Sequence, residues 1–327
     1  MKNGKKPNTE SKDSFLSLEE LGVKLWSKNF NDNSGIEVIS TGSYFLNKVL
    51  GVGGWPVGKI IEIFGSDSSG KSTLALHAVA EAQKINKCVV YIDIENTLNP
   101  NWAKKIGVDL NNIFVASPVC GENTFELIAK LIDTNNVDLI IVDSVAALVP
   151  YFEFENNIQD QTMGLHARLM SKGLRIIQSK MINSKTTIIF INQIRDKIGN
   201  SYIPTTTTTG GRALKYSACI RVEIKRCESI KDANNTVIGF ITKATVIKNK
   251  YGAPLSVANT ALYFESGFDY VYEIIQEAIN LNILNKKGSW FEFKEKNIAQ
   301  GIVQLRKHLQ DNPALFEKIK EEIFKVK

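Results

Sequence analysis

The stretch from Gly65 to Ser72 reads Gly-Ser-Asp-Ser-Ser-Gly-Lys-Ser, and it limits the possible folds more than any other part of this chain. It follows an apolar, β-branched run from Lys59 to Phe64 and precedes an apolar-periodic stretch that begins at Thr73. A glycine loop between a strand and a helix is the context of a phosphate-binding loop, because backbone N–H groups and the helix N-terminus converge on the phosphates. The sequence therefore predicts binding of a nucleoside triphosphate.

The residues of this loop expected to bind the nucleoside triphosphate are Gly65, Ser66, Asp67, Ser68, Ser69, Gly70, Lys71, Ser72 and Thr73. The Lys71 ammonium would reach the β- and γ-phosphates, and the Ser72 hydroxyl would ligate Mg²⁺. Val137 to Ser144 is a hydrophobic strand that ends in an acid, so Asp143 is expected to hold the Mg²⁺ through water. A flexible loop with a surface lysine is the alternative, and the position between strand and helix disfavours it.

Two other apolar runs end in polar residues that are candidates for catalysis. One leads into Asp93 and Glu95, and a carboxylate at the end of a strand beside a phosphate loop could polarise a water molecule. A helix N-cap fits Asp93 about as well. The run from Thr187 to Ile191 ends in Asn192-Gln193, where an amide can sense the γ-phosphate; a polar pair that starts a loop is the alternative.

Composition excludes the membrane-spanning and disulfide-rich classes. The chain has 327 residues, 43% of them hydrophobic and 23% charged, as in an ordinary globular protein, and its net charge of +6 permits a polyanionic partner. Cys88, Cys120, Cys219 and Cys227 show no metal-binding spacing, which favours reduced thiols. No apolar stretch approaches membrane-spanning length and no signal peptide is visible, so we expect a cytoplasmic location and no membrane partner.

Alternating strand and helix patterns predict an α/β fold, a mostly parallel twisted sheet with helices on both faces. A polar tail, a helix-like pattern from Ser14 to Asn29 and a linker form a separate N-terminal module, residues 1–35. The apolar face of that helix would pack on a neighbouring subunit or on its own domain. We expect the main domain at 36–269 and a small α+β C-terminal domain at 270–327.

Two polar stretches are candidates for nucleic-acid contact. Glu153 to Thr162 is polar with interspersed aromatics, and the helix pattern after it carries Arg168 and Arg175. Arg195 to Gly211 holds a tyrosine, five consecutive threonines and a Gly-Gly pair. Hydroxyls and glycine amides suit phosphodiester contacts without base reading. The alternative is a surface loop, which can also become ordered when a ligand binds.

These motifs resemble the bacterial RecA family of homologous-recombination ATPases. The matching stretches are Gly65–Leu74, Val142–Leu148, Met163–Leu165, Phe190–Arg195, Lys197–Gly199, Thr207–Gly211 and Val246–Lys250. The resemblance, which runs from about Leu21 to the C-terminus, implies a RecA-like P-loop core and a DNA-dependent ATPase that uses ATP and Mg²⁺. It implies a helical filament on single-stranded DNA and strand exchange with duplex DNA in repair and the SOS response. A self-cleaving repressor and filament-loading proteins are further implied partners.

The resemblance also implies roles for single residues. Glu95 resembles the family's catalytic glutamate, and Trp102 stands where an aromatic residue stacks on adenine, although the residue alone is better explained as core. Gln193 resembles the residue that links the γ-phosphate to the second DNA loop. Lys248 and Lys250 resemble lysines that reach the ATP of the next subunit, and their alternate spacing puts both on one face if the strand continues. A solvated lysine pair is the alternative.

Contacts with DNA are implied in two loops, about 153–164 and 194–211. The residues matching positions near the DNA backbone are Met163, Gly164, Arg168, Ser171, Arg175, Lys197, Ile198, Gly210, Gly211 and Arg212. The chain departs from the family's usual residues at Tyr202, Thr206, Arg212 and Ile302, and it ends without a long acidic tail. We expect easier access to duplex DNA without such a tail.

Two other classes of protein use the same phosphate-loop elements. A ring-forming motor such as a hexameric helicase is disfavoured by the stretch from Thr205 to Gly211 and by the pair Lys248 and Lys250. A scaffold that binds ATP without hydrolysing it is disfavoured by Glu95.

Overall fold

The structure is a computed structural model that describes residues 35–155, 164–196, 206–232 and 234–326. The N-terminal helix expected from the sequence, Met163, Lys197, Ile198 and Tyr202 lie outside these residues. The chain divides into a unit of residues 1–37 and a unit of residues 38–327. All strands and helices that the structure describes belong to the second unit.

The described strands are β1 Val38–Ile39, β2 Trp55–Pro56, β3 Ile60–Gly65, β4 Val89–Asp93, β5 Ile113–Ala116, β6 Leu139–Asp143, β7 Thr187–Asp196, β8 Thr206–Thr208, β9 Ile220–Lys231, β10 Val237–Asn249, β11 Val257–Tyr263, β12 Gly267–Phe268, β13 Leu284–Lys287, β14 Trp290–Phe293 and β15 Lys296–Gln300. The described α-helices are α1 Tyr44–Leu50, α2 Lys71–Lys84, α3 Pro100–Ile106, α4 Gly121–Asp133, α5 Tyr151–Glu155, α6 Leu165–Lys180, α7 Ala213–Ser217, α8 Tyr270–Asn280, α9 Ile302–Asp311 and α10 Pro313–Lys325. None of the helices in the described part of the chain is long and apolar enough to cross a membrane.

The main sheet has the strand order β12-β11-β10-β9-β3-β7-β6-β4-β5. From β9 to β5 every neighbouring pair is parallel, whereas β10, β11 and β12 are added in antiparallel pairs. β8 pairs with the end of β7, and β1 pairs with β2. The predicted mostly parallel α/β sheet is confirmed.

Both faces of the sheet are covered, as the central strand β3 illustrates. Ile61 and Ile63 belong to a buried cluster with Leu74 of α2, whereas Ile60 belongs to a second cluster with Leu174 of α6. This alternation is the two-residue period of a strand. Because both faces are buried, the parallel strands read as nearly continuous apolar runs in the sequence.

The C-terminal elements form a smaller layer with its own core. β13, β14 and β15 make an antiparallel sheet, and α8, α9 and α10 pack with it around Ile274, Leu305 and Ile319. Tyr44 of α1 belongs to the same buried cluster. The α+β character of this region agrees with the fold expected from its sequence.

The sequence predicts that the strand from Thr187 ends in Asn192-Gln193 and that a loop begins at about 194; this strand end is wrong, because β7 continues to Asp196. Asn192 is therefore fully buried inside a strand, next to Phe64 in the register with β3. Its side-chain amide is hydrogen-bonded to Glu62 and to the backbone of Thr209, which offsets the cost of burying it. The pair Asn192-Gln193 does not start a loop.

Candidate active site

The loop between β3 and α2 has a backbone that only glycine accommodates at two positions. Gly70 has a φ of +100°, and a Cβ there would lie 2.7 Å from Cδ1 of Leu262. A Cβ on Gly65 would lie 2.1 Å from the carbonyl oxygen of Ile224. Gly70 also provides no side chain to cap α2, so the first amide groups of this helix face the loop without a capping side chain. These features fit a phosphate ligand.

Lys71 and Ser69 give this loop further features of an anion site. The Lys71 ammonium is largely buried and donates to the carbonyl oxygen of Ser66 at 2.7 Å. Burial lowers the pKa of Lys71, while the carboxylates of Asp67, Asp143 and Glu95 oppose that shift. The Ser69 hydroxyl is fully buried and has no hydrogen-bond partner among the described residues.

Asp143 ends β6 beside the first turn of α2. Its carboxylate accepts from the Tyr91 hydroxyl at 2.7 Å and also from the Ser72 hydroxyl. Burial raises the pKa of Asp143, and these two hydrogen bonds oppose that shift. A hydroxyl and a carboxylate in contact are hard oxygen donors that fit Mg²⁺, which protein sites commonly bind through one or two such groups together with phosphate oxygens.

The two acids that follow β4 have different surroundings. Asp93 is buried, and its carboxylate accepts from two backbone N–H groups in the turn after β4, so it holds that turn. Glu95 is exposed, and its carboxylate accepts from the Ser144 hydroxyl and from Nε2 of Gln193 at 3.5 Å. Glu95 therefore lies between the carboxyl ends of β6 and β7, whereas Asp93 has the structural role.

A cavity of about 430 Å³ adjoins the phosphate loop and has an aromatic wall. Trp102 of α3 lies on this wall, half-buried, with Nε1 3.4 Å from the Thr73 hydroxyl oxygen. Sequence reasoning missed Phe240 and Phe264, which line the same cavity from the antiparallel strands, and Arg226, whose guanidinium lies 4.7 Å from the Phe240 ring centre. These residues are 140 or more positions from the loop, and no local motif marks them.

Lys248 and Lys250 lie at the other end of the sheet. Lys250 donates its N–H to the Cys219 carbonyl, and Cys219 donates its own N–H to the carbonyl of Ile60, where β3 begins. The phosphate loop follows the opposite end of β3, five residues further, which is roughly 16 Å at about 3.3 Å per residue. Neither lysine lies beside the phosphate loop of its own chain.

Lys248 and Lys250 do not lie on one face of a continuous strand. β10 ends at Asn249, so Lys250 lies beyond the strand, and the ladder shifts register between Val246 and Lys248. Lys248 Nζ donates to the carbonyl oxygens of Lys215 and Tyr216 at 2.8 and 3.0 Å. The Lys248 ammonium is therefore hydrogen-bonded within its own chain, where it caps the end of α7.

The predicted DNA-binding residues that the structure describes lie on α6 or beside it. Gly164 precedes this helix, and Arg168 and Arg175 are exposed on it, seven residues and thus about two turns apart, on one face. Ser171, which lies between these two arginines in the sequence, is half-buried, and its backbone carbonyl accepts from Nε of Arg175. Met163, Lys197 and Ile198 are outside the described residues.

The last residues of the second predicted loop, 209–211, lie against the same helix, and we call them the return of the loop. Gly210 and Gly211 both have a positive φ. A Cβ on Gly210 would lie 3.0 Å from Cγ of Met170, and one on Gly211 would lie 3.2 Å from Cβ of Ala167. Exposed Arg212 follows them and precedes α7. The structure thus brings the ends of both predicted loops together on α6.

Comparisons with known proteins agree with this architecture. The chain matches the family model of the RecA N-terminal domain over residues 22–269 and that of the RecA C-terminal domain over residues 272–326. Protein RecA of Mycoplasma genitalium is 47% identical over 97% of this chain and 93% of its own length. Protein RecA of Malacoplasma penetrans is 44% identical over 97% of this chain and 96% of its own length.

A solved structure, that of the RadB recombinase, matches with a TM-score of 0.54 and 22% identity, over 71% of this chain and 98% of that chain, and supports the fold. The two family models together span the phosphate loop, the predicted DNA loops and the C-terminal layer. Members of this family bind nucleotide and DNA. The chain belongs to the RecA family and is an ATP-dependent recombinase of homologous recombination.

Proposed function

We propose that this recombinase hydrolyses ATP with Mg²⁺ at the edge formed by the carboxyl ends of β3, β4, β6 and β7. Lys71 binds the β- and γ-phosphates, and Ser72 and Asp143 hold the Mg²⁺. When bound, Mg²⁺ neutralises charge that develops on the phosphate oxygens. Trp102 stacks on the adenine. The buried unpaired hydroxyl of Ser69 and the contact between Ser72 and Asp143 support this assignment.

The observation that carries the proposal is the position of Glu95. Its carboxylate lies near the carboxyl ends of β6 and β7, where it accepts from Ser144 and Gln193. β7 is the neighbour of β3, the strand that leads into the phosphate loop. A carboxylate oriented in this way accepts the proton of an attacking water. Gln193 links this group to the second DNA loop, because β7 continues from Gln193 towards that loop.

We further propose that the DNA face is formed by both loops around α6. Its described residues are Gly164, Arg168, Ser171, Arg175, Gly210, Gly211 and Arg212, with Met163, Lys197 and Ile198 in the remaining loop positions. Exposed guanidinium groups and glycine amides suit a sugar-phosphate backbone. A helical filament on single-stranded DNA would then pair with a duplex. The family assignment also supports Mg²⁺ as the cofactor, a cytoplasmic location, repressor self-cleavage and loading proteins. The proposed domains are 1–35, 36–269 and 270–327.

Lys248 and Lys250 are proposed to contact the γ-phosphate of ATP on the adjacent protomer. Their position near the start of β3 supports an action in trans, because a phosphate loop of the same chain is at the other end of that strand. Charge supplied in trans would make hydrolysis depend on the filament. Lys248 would then exchange the carbonyls of α7 for phosphate.

Mixed filaments test this arrangement. Lys71→Ala and Lys248→Ala should each abolish most DNA-stimulated phosphate release, because each lacks one half of every site. An equal mixture should recover part of the activity, since a protomer with an intact Lys71 can adjoin one with an intact Lys248. The control is the variant with both substitutions in one chain, mixed with Lys71→Ala, which should recover none. No recovery in mixed filaments seen by electron microscopy would contradict the trans contact.

The recombinase reaction itself is tested by strand exchange. With ATP and Mg²⁺, we expect transfer of a labelled single strand into a homologous duplex and none into a heterologous duplex. Equal transfer into both, or transfer that does not need ATP, would refute the proposal.

A further inference from the structure

A row of hydrogen-bonded polar side chains crosses the interior of the sheet and ends at the second DNA loop. We call it the buried polar row, and its members are Arg221 of β9, Glu62 of β3, Asn192 of β7 and Thr209 after β8. Glu62 and Asn192 are fully buried and Arg221 is nearly so. A buried carboxylate is costly unless it is paired, so its partners determine whether this part of the sheet is stable.

Each oxygen of the Glu62 carboxylate has its own partner. Nε of Arg221 donates to one oxygen, and Nδ2 of Asn192 donates to the other at 2.9 Å. Arg221 also lies over the ring of Phe64, the last residue before the phosphate loop, at 4.6 Å from its centre. The carboxylate thus joins the strand that leads into the phosphate loop to the strand that leads into the DNA loop.

Asn192 transmits this contact to the return of the DNA loop. Its Oδ1 accepts from the N–H of Gln193 at 2.9 Å and from the Thr209 hydroxyl, while Nδ2 donates to the Thr209 carbonyl at 3.1 Å. The Thr209 N–H in turn donates to the Gln193 carbonyl at 3.3 Å. Only this orientation of the amide satisfies all partners, because the opposite one would face its oxygen towards the Glu62 carboxylate.

These contacts join two parts of the proposed mechanism. Gln193 reaches Glu95 with its side chain, and its backbone N–H and C=O are both bonded to the row. Thr209 is followed directly by Gly210, which lies against Met170 of α6 on the proposed DNA face. A displacement of the loop by DNA would therefore act on the backbone of Gln193.

We propose that Glu62 and Asn192 are positioning residues that hold the return of the second loop against Gln193, so that DNA binding raises the rate of ATP hydrolysis. This inference rests on the proposed function of that loop in DNA binding. Neither side chain contacts nucleotide or DNA; both act through Gln193 and Thr209. Loss of the pair should uncouple the two sites without removing either one.

An exchange of the two groups provides a sharp test. Glu62→Gln replaces one acceptor by a donor, so either Arg221 or Asn192 then faces a donor. Combining Glu62→Gln with Asn192→Asp restores the pair in reverse, because the new amide donates to the new carboxylate and its oxygen still accepts from Arg221. The new carboxylate cannot donate to the Thr209 carbonyl, so that one bond of Asn192 is lost. The other oxygen of that carboxylate still accepts from the Gln193 N–H and the Thr209 hydroxyl. Shape and net charge are unchanged in the double variant.

The measurement is the ratio of ATP turnover with saturating single-stranded DNA to turnover without it. Glu62→Gln should lower this ratio about tenfold, equivalent to about 1.4 kcal/mol at 25 °C, while the KM for ATP stays the same. The exchanged double variant should have a higher ratio than Asn192→Asp alone, which lacks the same bond to the Thr209 carbonyl and in addition faces Glu62 with a second carboxylate. Glu292→Gln is the matched control, since Glu292 is also buried and ion-paired, with Lys287 of the C-terminal sheet. It should leave the ratio unchanged.

Several results would overturn the inference. A wild-type ratio in Glu62→Gln would do so, as would a folded double variant that binds ATP and is stimulated by DNA no more than Asn192→Asp alone. Should Glu62→Gln fail to fold, Thr209→Val removes only the hydroxyl bond to Asn192, with Thr209→Ser as its control. Thr209→Val should lower the ratio relative to Thr209→Ser, and equal ratios would refute the role of the row.

Failure of this inference can be told apart from failure of the proposed function. If Arg168→Ala and Arg175→Ala leave the affinity for single-stranded oligothymidine unchanged, the DNA face is wrongly assigned. If they weaken it and the variants of the row keep full stimulation, the DNA face stands and only the coupling through Glu62 and Asn192 is wrong.

Discussion

Replacement of Glu273 by glutamine should stabilise the protein at neutral pH and have little effect in acid. Glu273 lies on α8 of the C-terminal layer and is fully buried. Its carboxyl accepts from the Ser43 hydroxyl at 2.7 Å and from the Phe45 N–H at 3.1 Å, at the start of α1. Burial raises the pKa of Glu273 from 4.5 to about 7, and these hydrogen bonds offset only part of the effect.

The sign follows from proton binding. Between pH 4.5 and about 7 the folded chain keeps this proton and the unfolded chain has lost it. The free energy of unfolding therefore falls as the pH rises through that window. At about 1.4 kcal/mol per pH unit, the loss is roughly 3 kcal/mol above pH 7. Glutamine has a similar shape and no charge to bury, so Glu273→Gln avoids this loss.

His77 makes the free energy of unfolding depend on pH in the opposite direction, and this effect offsets that of Glu273. Burial lowers the pKa of His77 to about 4, and its Nε2 accepts from the N–H of Phe268 at 2.9 Å. Below pH 6.5 the unfolded chain takes up this proton and the folded chain does not, so stability falls as the pH falls towards 4. The two slopes oppose each other between pH 4.5 and 6.5. Wild-type protein should therefore be nearly insensitive to pH in this range with respect to these two groups.

Urea unfolding followed by circular dichroism, at pH values from 5 to 8, provides the measurement. The free energy of unfolding of Glu273→Gln minus that of wild type should be small at pH 5 and grow to roughly 3 kcal/mol by pH 8. His77→Gln should differ from wild type in the reverse sense, gaining stability relative to wild type as the pH falls below 6.5. A difference for Glu273→Gln that does not change with pH would refute the reasoning.

Two further predictions concern the proposed active site and DNA face. Glu95→Gln should keep ATP and DNA binding but lower turnover by roughly 10² to 10⁴, the usual contribution of a general base; turnover close to wild type in a phosphate-release assay would mean that another group activates the water. Arg168→Ala and Arg175→Ala should each weaken binding to single-stranded DNA and flatten the slope of log affinity against log salt by roughly 0.7. An unchanged slope in a fluorescence titration, or a strong preference for base sequence, would count against contacts with the phosphates.

Local patterns in the sequence were sufficient to predict the core of the fold. The phosphate loop depends on glycines whose φ and close contacts no other residue tolerates, so its motif carries the structure within eight residues. The position of Asp143 near the phosphate loop could be predicted because parallel strands present their carboxyl ends at one edge of the sheet. The apolar runs that predicted these strands are buried on both faces.

Contacts between distant segments were not predictable in the same way. The aromatic residues that line the cavity together with Trp102 are Phe240 of β10 and Phe264, which directly follows β11. Both strands join the sheet by antiparallel pairing far along the chain. Lys248 has no acid close to it in the sequence, and it caps α7, whose carbonyls come from more than 30 residues away. Neither contact has a local pattern.

The end of β7 was predicted too early, and the polar residue that caused this error carries information about the fold. A polar residue in an apolar run was interpreted as a strand end, since a lone buried amide is costly. Glu62, Asn192 and Arg221 are polar residues in three such runs; the run with Arg221 also carries Glu223, and Asn192 is followed by Gln193. An acid, an amide and a guanidinium are complementary groups, so the three runs could have been placed side by side as neighbouring strands, as they are in β3, β7 and β9. The polar residues that break a hydrophobic pattern thus contain information about strand order that the pattern itself lacks.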